Sequence, residues 1–328
     1  MRGPVVPVTL QQCAARQGGL VSSAQARDHG LSADSVGTLA RRRAWQRVCR
    51  GVYDVGLPDD VAWVGPGVPD AGDRPGSPGW AARRRRVRAT WAALLAYGDQ
   101  AVAVGACALV LHGVHGLPAR LRPQSALPGA SNRLDRDGVA LRQFDDGMTT
   151  VEIAGRRVAA LPWALAQAVP ELPRRHGLAV LDSVLAQGLL RPAELDRVHD
   201  LARGRRGIAT RHDLFELADA RAESPLESFA RLECIEGSVA PDVLQLPFVR
   251  ASGTVAARAD MAWELRGGRW LLVEMDGVDV HGTARAIHVD RWRRNTIVAT
   301  GRVDELRFTS EDLGQVAPTV RAFLARNR

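Results

Sequence analysis

The sequence predicts an α+β chain of several domains, and three stretches indicate this. Short helices and a hairpin are expected at the start, a glycine- and proline-rich stretch follows at 65–79, and a buried strand is expected at 270–277. A chain of 328 residues can hold two or three domains with sizeable cores. We expect these parts: residues 1–62, a linker at 63–82, a helix-rich α/β middle domain at 83–222 and a mixed-sheet domain at 223–328.

The charge of the chain indicates an anionic partner. The formal net charge is +8, the pI is near 10.6, and the sequence contains arginine but no lysine. Nucleic acid is the first candidate for the partner and an anionic membrane surface the second. Arginine makes bidentate contacts with phosphate and guanine, which favours DNA, although GC-rich coding also enriches arginine.

Cysteine spacing and hydropathy indicate the compartment. Cys13, Cys49, Cys107 and Cys234 show no paired spacing, so neither a zinc site nor a disulfide framework is predicted. The longest apolar stretch, around 101–111, is shorter than the roughly 20 residues that a membrane span needs. Because the start of the sequence also lacks an apolar signal core, we expect a cytoplasmic protein with no membrane partner.

Three short helices are expected in the first domain. The first spans Leu10 to Arg16, Ser22 and Gln25 form a capping box for the second, and Ser32 caps the third. Two helices joined by a glycine turn suggest a helix-turn-helix. The domain is therefore predicted to be a winged helix-turn-helix if strands follow.

The third helix and the strands after it would present polar and basic side chains. Val36, Leu39 and Ala40 can face the core, and residues 45–48 and 51–53 alternate like two strands around a wing. A helix with small polar residues and arginines outward fits a DNA major groove, and a wing arginine reaches phosphate. The predicted DNA-binding residues here are Ser35, Thr38, Arg41, Arg42, Arg47 and Arg50.

The stretch from Gly19 to Tyr53 resembles the N-terminal domain of AbiEi-type antitoxins from type IV toxin–antitoxin systems. In that family the domain binds promoter DNA and represses its own operon, so the resemblance implies DNA binding and a cognate toxin protein as a partner. Winged helices also serve as protein contacts, and the arginines at 41–43 can instead form a solvated face.

The middle domain is predicted to alternate between helices and strands. His112 and His115 could suggest a metal pair, but without a third ligand nearby a packed histidine and a loop histidine are expected. An arginine-rich stretch at 83–86 could touch phosphates or be a solvated helix start, and one at 203–207 could follow a DNA backbone or be an interdomain loop. Helices are expected at 83–97, 105–113, 162–201 and 208–220, and strands at 139–159.

The apolar run at 270–277 delivers two carboxylates at its end. Glycines bound the run on both sides, which favours a strand over a helix. Side chains two apart share a face of a strand, so Glu274 and Asp276 would stand together and repel unless a cation lies between them. A hairpin loop at 264–269 could bring Asp260 beside Glu274. Such oxygen ligands favour Mg²⁺ or Mn²⁺, whereas the alternative is solvated carboxylates at a strand end.

Residues 223–313 resemble the PD-(D/E)xK nuclease fold. They are similar to its branch of very-short-patch repair endonucleases through the motifs at 274–277, 281–282, 290–291 and 307–309. The resemblance implies a restriction-endonuclease-like domain that hydrolyses DNA with Mg²⁺. The catalytic residues that it implies are Asp260, Glu274, Asp276 and His281, and the metal residues are Asp260, Glu274, Asp276 and Glu227.

Some of these residues have a structural alternative. Glu227 also completes a capping box with Ser224, so it can serve the helix, the metal or both. Many members of the nuclease fold carry lysine at the position of Asp276, which puts activity more than fold in question. His281 can be a loop histidine. Arg291 and Arg294 share a helix face and are predicted to bind DNA, or they pair with Asp290 and fix that helix.

The sequence thus predicts a DNA-binding protein with a Mg²⁺-dependent endonuclease domain that hydrolyses DNA phosphodiesters. The alternative is a non-enzymatic transcriptional regulator or antitoxin that keeps a degenerate nuclease fold. A neighbouring toxin gene would favour the regulator, and a neighbouring DNA-modification gene would favour the nuclease.

Overall fold

The structure, a computed structural model, describes residues 4–57, 77–129, 135–249, 255–277 and 302–328. The chain divides into two compact units, the first made of Met1–Leu172 and Ala193–Thr210 and the second of Pro173–Pro192 and Arg211–Arg328. Both combine helices with β-sheet, so the predicted mixed α and β multidomain class is confirmed at this level. None of the helices in the described part of the chain is long and apolar enough to cross a membrane.

The first unit begins with three helices and a three-stranded sheet. Strand β3 pairs antiparallel with both β1 and β2, so it lies at the centre of the sheet. Ser22 and Gln25 form the predicted capping box, and Ser32 accepts a hydrogen bond from Ser35 N. The elements are α1 (Val8–Arg16), β1 (Leu20–Ser22), α2 (Ser23–Asp28), α3 (Ala33–Arg41), β2 (Gln46–Cys49) and β3 (Val52–Asp54).

The end of α1 depends on two glycines. Gly18 and Gly19 have φ of +65° and +83°, a left-handed conformation that strains other residues and stops the helix. The chain then enters β1, whose three residues are all buried. The core of this part includes Leu10, Val36 and Trp45. On α3, Val36 and Leu39 are buried as predicted, while Ala40 is only half-buried.

A five-stranded mixed sheet completes the first unit. Its order is β6-β5-β4-β8-β7, with β4 parallel to β8 and β5 parallel to β6. His112 lies just after α5, where its Nε2 contacts Ala159 O at 2.9 Å, and burial lowers its pKa as expected for a packed histidine. The elements are α4 (Pro78–Tyr97), β4 (Val102–Ala103), α5 (Gly105–Leu111), β5 (Gln124–Leu127), β6 (Ala140–Gln143), β7 (Thr150–Ile153), β8 (Arg156–Ala159) and α6 (Leu161–Ala168).

The second unit is built on a four-stranded mixed sheet of order β12-β11-β10-β9. Strands β11 and β12 run parallel, and the other neighbours are antiparallel. The helices of this unit are α7 (Arg174–Ala186), α9 (Asp213–Leu217), α10 (Pro225–Glu236) and α11 (Val316–Asn327). Helix α8 (Leu195–Ala202) lies between α7 and α9 in sequence but belongs to the first unit. The strands are β9 (Val243–Val249), β10 (Val255–Leu265), β11 (Arg269–Asp276) and β12 (Val303–Thr309).

Both faces of this sheet are apolar at β10 and β11. Trp263 and Val273 pack with Ala230 of α10 and Val320 of α11 in what we call the helix-side core. The residues just before Trp263 and Val273 on their strands, Ala262 and Leu272, belong to a separate opposite-face cluster. Because side chains alternate along a strand, these clusters lie on opposite faces. The strand predicted at 270–277 is therefore buried on both faces, as expected.

The helix predicted at 208–220 is wrong. A 3₁₀ turn at Ile208–Thr210 and the short helix α9 replace it. The chain leaves helical geometry at Ala218, where ψ is 132°. The reason lies in a buried ion pair between Asp182 and Arg231, because Leu217 O accepts from Arg231 Nη1 at 2.7 Å and Asp219 N donates to Asp182 Oδ1 at 2.8 Å. These contacts satisfy backbone groups that a continuing helix would have paired.

Candidate active site

Two carboxylates meet at the end of the β10–β11 hairpin that lies away from its turn. Met261 pairs with Val273, and the same register continued by one residue places Asp260 opposite Glu274. Asp260 Oδ2 accepts a hydrogen bond from Met275 N at 2.8 Å. This side chain therefore takes the place of a main-chain acceptor where the ladder ends. This strand register is the one that the predicted approach of Asp260 to Glu274 requires.

A third carboxylate comes from the first turn of α10. Ser224 Oγ accepts from Glu227 N at 3.2 Å, which caps the helix. Glu227 Oε2 accepts from Glu223 N at 3.0 Å, one residue before the position that a full capping box would use. The electrostatic influence of Asp260 also reaches Glu227. Glu227 therefore caps the helix and also lies near Asp260. We call Glu227, Asp260 and Glu274 the acid cluster, in which Asp260 is the member that acts on each of the other two.

The environment of the acid cluster disfavours the charged forms of its carboxyl groups. Burial raises the pKa of Glu274 to about 8, and repulsion from Asp260 adds to this effect. Burial followed by repulsion from Asp260 likewise raises the pKa of Glu227 to about 7. Burial raises the pKa of Asp260 too, although the hydrogen bond from Met275 N opposes it. Half-buried carboxylates that repel one another are typical of sites that bind a cation or a proton.

Asp276 pairs with an arginine, a partner that the sequence does not predict. Arg307, on β12, donates from Nε to Asp276 Oδ2 at 2.8 Å and from Nη2 to Asp276 Oδ1 at 2.5 Å. Both carboxylate oxygens are thus engaged in a bidentate pair. Arg307 is also the register partner of Glu274 across the parallel strands, and its charge lowers the pKa of Glu274. Asp276 would have to leave Arg307 before it could bind a metal.

The donor set of the acid cluster consists of oxygen atoms, which fits Mg²⁺ or Mn²⁺. Within the described ranges, no group of three or more His, Cys, Asp or Glu side chains is placed to hold a metal ion. Mg²⁺ commonly takes one or two carboxylates and keeps several waters. The pair formed by Asp260 and Glu274 on adjacent strands matches that smaller requirement.

Sequence reasoning missed Gln245, on β9. Its Nε2 lies 3.1 Å from Glu227 Oε2 and 3.4 Å from Asp260 Oδ1, so one amide group spans two members of the acid cluster. The only signal in the sequence was a single polar residue inside the apolar stretch from Val243 to Phe248. The sequence motif at 307–309 contains Arg307 but predicts no role for it in the site.

Four predicted site residues lie outside the residues that the structure describes. They are His281, Asp290, Arg291 and Arg294. Their roles as proton carrier, helix partner and DNA contacts stay predictions.

The predicted DNA-binding residues of the first unit lie on α3 and on the β2–β3 hairpin. Arg41 and Arg42 at the end of α3 are exposed, and so are Arg47 and Arg50 on the hairpin. Ser35 and Thr38 are half-buried. Arg41 Nη2 donates to Thr38 Oγ1 at 3.0 Å, and Arg47 pairs with Asp137 at 3.0 Å through side chains that are largely exposed.

Comparison with known proteins gives relatives without an assigned role. No protein-family model matches the chain. The chain is similar to uncharacterized proteins MT2308 and Rv2248 from two strains of Mycobacterium tuberculosis. Each is 29% identical over 189 residues, which cover 56% of this chain and 67% of the relative. The resemblances to AbiEi antitoxins and to repair endonucleases therefore stay predictions.

Proposed function

We propose that this protein binds DNA and hydrolyses its phosphodiester bonds with Mg²⁺ or Mn²⁺ at the acid cluster. The observation that carries the proposal is the position of Asp260, which lies in register with Glu274 of β11 and shares the amide of Gln245 with Glu227 of α10. Burial raises the pKa values of all three, and repulsion from Asp260 adds to this effect for Glu227 and Glu274, which is unfavourable for a purely structural role. A divalent cation would relieve this repulsion, and the oxygen donors suit a hard ion.

The architecture supports the proposed PD-(D/E)xK fold for the second unit. That fold would supply a glutamate from a helix, an aspartate from one strand and a glutamate from the next. Here Glu227 is on α10, Asp260 on β10 and Glu274 on β11, within a mixed sheet. A winged helix is likewise proposed for the start of the first unit, because three helices are followed by a hairpin whose second strand lies between β1 and β2.

In the proposed mechanism, Asp260 and Glu274 hold the metal ion, and Glu227 completes or orients the site. The bound ion would supply an acidified water and neutralise charge on the phosphate. Arg307, on β12, brings a positive charge beside Glu274 of β11. On β11, Asp276 stands where many nucleases carry lysine, and it pairs with Arg307. His281 is proposed to move protons, and Arg291 and Arg294 to bind phosphate.

The first unit would bring the chain to its substrate. A positively charged protein attracts DNA through its phosphates. Exposed Arg41 and Arg42 end α3, the proposed major-groove helix, and Arg47 and Arg50 lie on the adjoining wing. Ser35 and Thr38 complete the predicted base-facing surface of α3.

The proposal is tested by incubating the purified full chain with supercoiled plasmid and Mg²⁺. Wild type is expected to nick or linearise the DNA, and Glu274→Ala and Asp260→Ala are expected to slow cleavage by more than roughly 100-fold. Glu264→Ala is the matched control, because Glu264 is an exposed carboxylate on the same strand as Asp260. Cleavage that persists unchanged in both acid-cluster variants would exclude this site as its source.

A second candidate function is a non-enzymatic regulator or antitoxin. The bidentate pair between Asp276 and Arg307 favours it, since this carboxylate is already neutralised where active nucleases often carry a free lysine. Such a protein would bind an operator through its first unit and contact a toxin protein, without metal-dependent cleavage. Specific operator binding by a chain that leaves plasmid intact at every metal concentration would favour this alternative.

A further inference from the structure

Gln245 joins two carboxylates of the acid cluster through one nitrogen atom. Its Nε2 carries two hydrogens, and the distances of 3.1 Å to Glu227 Oε2 and 3.4 Å to Asp260 Oδ1 allow each hydrogen to reach a different carboxylate. Glu227 belongs to α10 and Asp260 to β10, so this amide links a helix to the sheet. A leucine or methionine at this position could fill space but could not form either bond.

The backbone at Gln245 is in a conformation that glutamine rarely adopts. Its φ is +53°, in the left-handed region where glycine and asparagine are favoured and other side chains are strained. The residue nevertheless lies inside β9, whose pairing with β10 places Ala259 opposite Leu246 and Met261 opposite Leu244. Gln245 therefore lies opposite Asp260 within the same register.

Side-chain alternation breaks at this pair. On β9, Leu244 packs against the helix-side core, whereas Leu246 packs in the opposite-face cluster. On β10, Met261 and Ala259 divide between the two clusters in the same way. In a regular strand, residues two apart share a face. The break thus frees Gln245 and Asp260 from strict alternation, which lets Asp260 approach both Glu227 on α10 and the backbone of β11.

We infer that Gln245 is a positioning residue of the acid cluster, an inference that rests on the function proposed above. Its amide holds Glu227 and Asp260 at the spacing at which both can serve one divalent ion, and the left-handed backbone is retained because it aims the amide between them. Strain persists in folded proteins where the surroundings enforce it, and it is concentrated at functional sites. Removing the amide should therefore weaken metal binding without weakening the fold.

The test separates these two effects through the choice of substitution. Gln245→Gly adopts the left-handed φ without strain, and Gln245→Asn tolerates it while being too short to span both carboxylates. Mn²⁺ affinity of the full chain is measured by calorimetry, and the unfolding midpoint is measured without metal. Gln187→Asn, an exposed amide on the second unit, is the matched control.

Both variants are expected to bind Mn²⁺ roughly 10–100-fold more weakly than wild type, the loss typical of groups that orient metal ligands. Their unfolding midpoints should stay within about 3 °C of wild type, and Gln187→Asn should match wild type in both measurements. Unchanged Mn²⁺ affinity in both variants would overturn the positioning role and leave the proposed function standing. A large fall in the midpoint of Gln245→Gly would make the residue structural. If wild type binds no Mn²⁺, the metal site and this role fall together.

Discussion

At the scale of single residues, Glu274 illustrates how the fold shifts the pKa of a carboxyl group. Burial at the end of an apolar strand and repulsion from Asp260 hold protons on its carboxyl group, while Arg307 acts in the opposite direction. The balance leaves the pKa of Glu274 at about 8, so the group is mostly protonated at neutral pH. A bound cation would displace that proton, which predicts that metal affinity rises with pH.

The raised pKa values also predict how stability depends on pH. Folding raises the pKa of Glu274 from 4.5 to about 8, so the folded state binds more protons than the unfolded state between these values. The free energy of unfolding therefore falls as pH rises through this window. Glu274→Gln removes this penalty, and its unfolding midpoint should exceed that of wild type by roughly 10 °C more at pH 8.5 than at pH 4.5.

Thermal unfolding followed by circular dichroism at several pH values, without divalent metal, checks this expectation. Glu264→Gln is the control, because the exposed Glu264 side chain should give a midpoint difference that does not change with pH. A constant difference between Glu274→Gln and wild type across the range would show that Glu274 ionises as it does in water.

At the scale of elements, the β10–β11 hairpin was predictable because its signals are local. Glycines at 267 and 268 have φ of +73° and +70°, as a tight turn requires, and an apolar run follows directly. The approach of Asp260 to Glu274 follows from that hairpin alone. The capping Ser224 and the proline that follows it likewise predicted the start of α10 from sequence.

Other parts of the site depend on distant stretches of chain and could not be predicted. Arg307 reaches Asp276 only because β12 runs parallel to β11, a pairing between segments 31 residues apart. Gln245 lies on β9, which contains Pro247 and a left-handed residue and therefore lacks a regular strand pattern. Strands β1 and β5, with three and four residues, were too short to produce a detectable alternation.

The packing of α7 against α10 gives a prediction about stability. Arg231 donates to both oxygens of Asp182 at 2.9 and 2.8 Å, and their side chains are only 6% and 1% exposed. Asp182→Ala would leave a buried, unpaired guanidinium and release the backbone of residues 217–219. We expect it to destabilise the second unit by about 3–5 kcal/mol.

Chemical denaturation of the full chain, followed by a probe specific to the second unit, measures this effect. Asp304→Ala is the matched control, because it removes one partner of the more exposed pair between Arg269 and Asp304 and should cost less than about 1 kcal/mol. Equal losses in the free energy of unfolding for the two variants would mean that the buried pair contributes no more to stability than the exposed pair.

At the scale of the whole molecule, the composition already indicated an anionic partner, whereas the resemblances suggested which one. The net charge of +8 is compatible with any polyanion, so the proposal of DNA as the partner depends on the placement of arginines on α3 and its hairpin. No local pattern could reveal that residues 173–192 join the second unit, because this grouping depends on long-range contacts.

DNA binding by the first unit predicts a defined dependence on salt. Replacing Arg41 and Arg42 together by alanine removes two exposed cations from the end of α3. The slope of log affinity against log salt concentration should decrease by about 2, because each phosphate contact contributes roughly one released counterion. Fluorescence anisotropy with labelled duplex DNA gives the slope.

Arg120→Ala is the control for this measurement, since Arg120 is exposed on the first unit but lies away from α3 in sequence. Its slope should match that of wild type. If the double variant and wild type give the same slope, α3 does not contact the DNA backbone.

The central claim is that the acid cluster binds a divalent cation, and a crystal structure of the full chain grown with Mn²⁺ at pH 8 tests it most directly. We predict an anomalous peak roughly 2.0–2.3 Å from carboxylate oxygens of both Asp260 and Glu274. A map with no peak at these carboxylates, and with Asp260 still bonded to Met275 N, would contradict the claim.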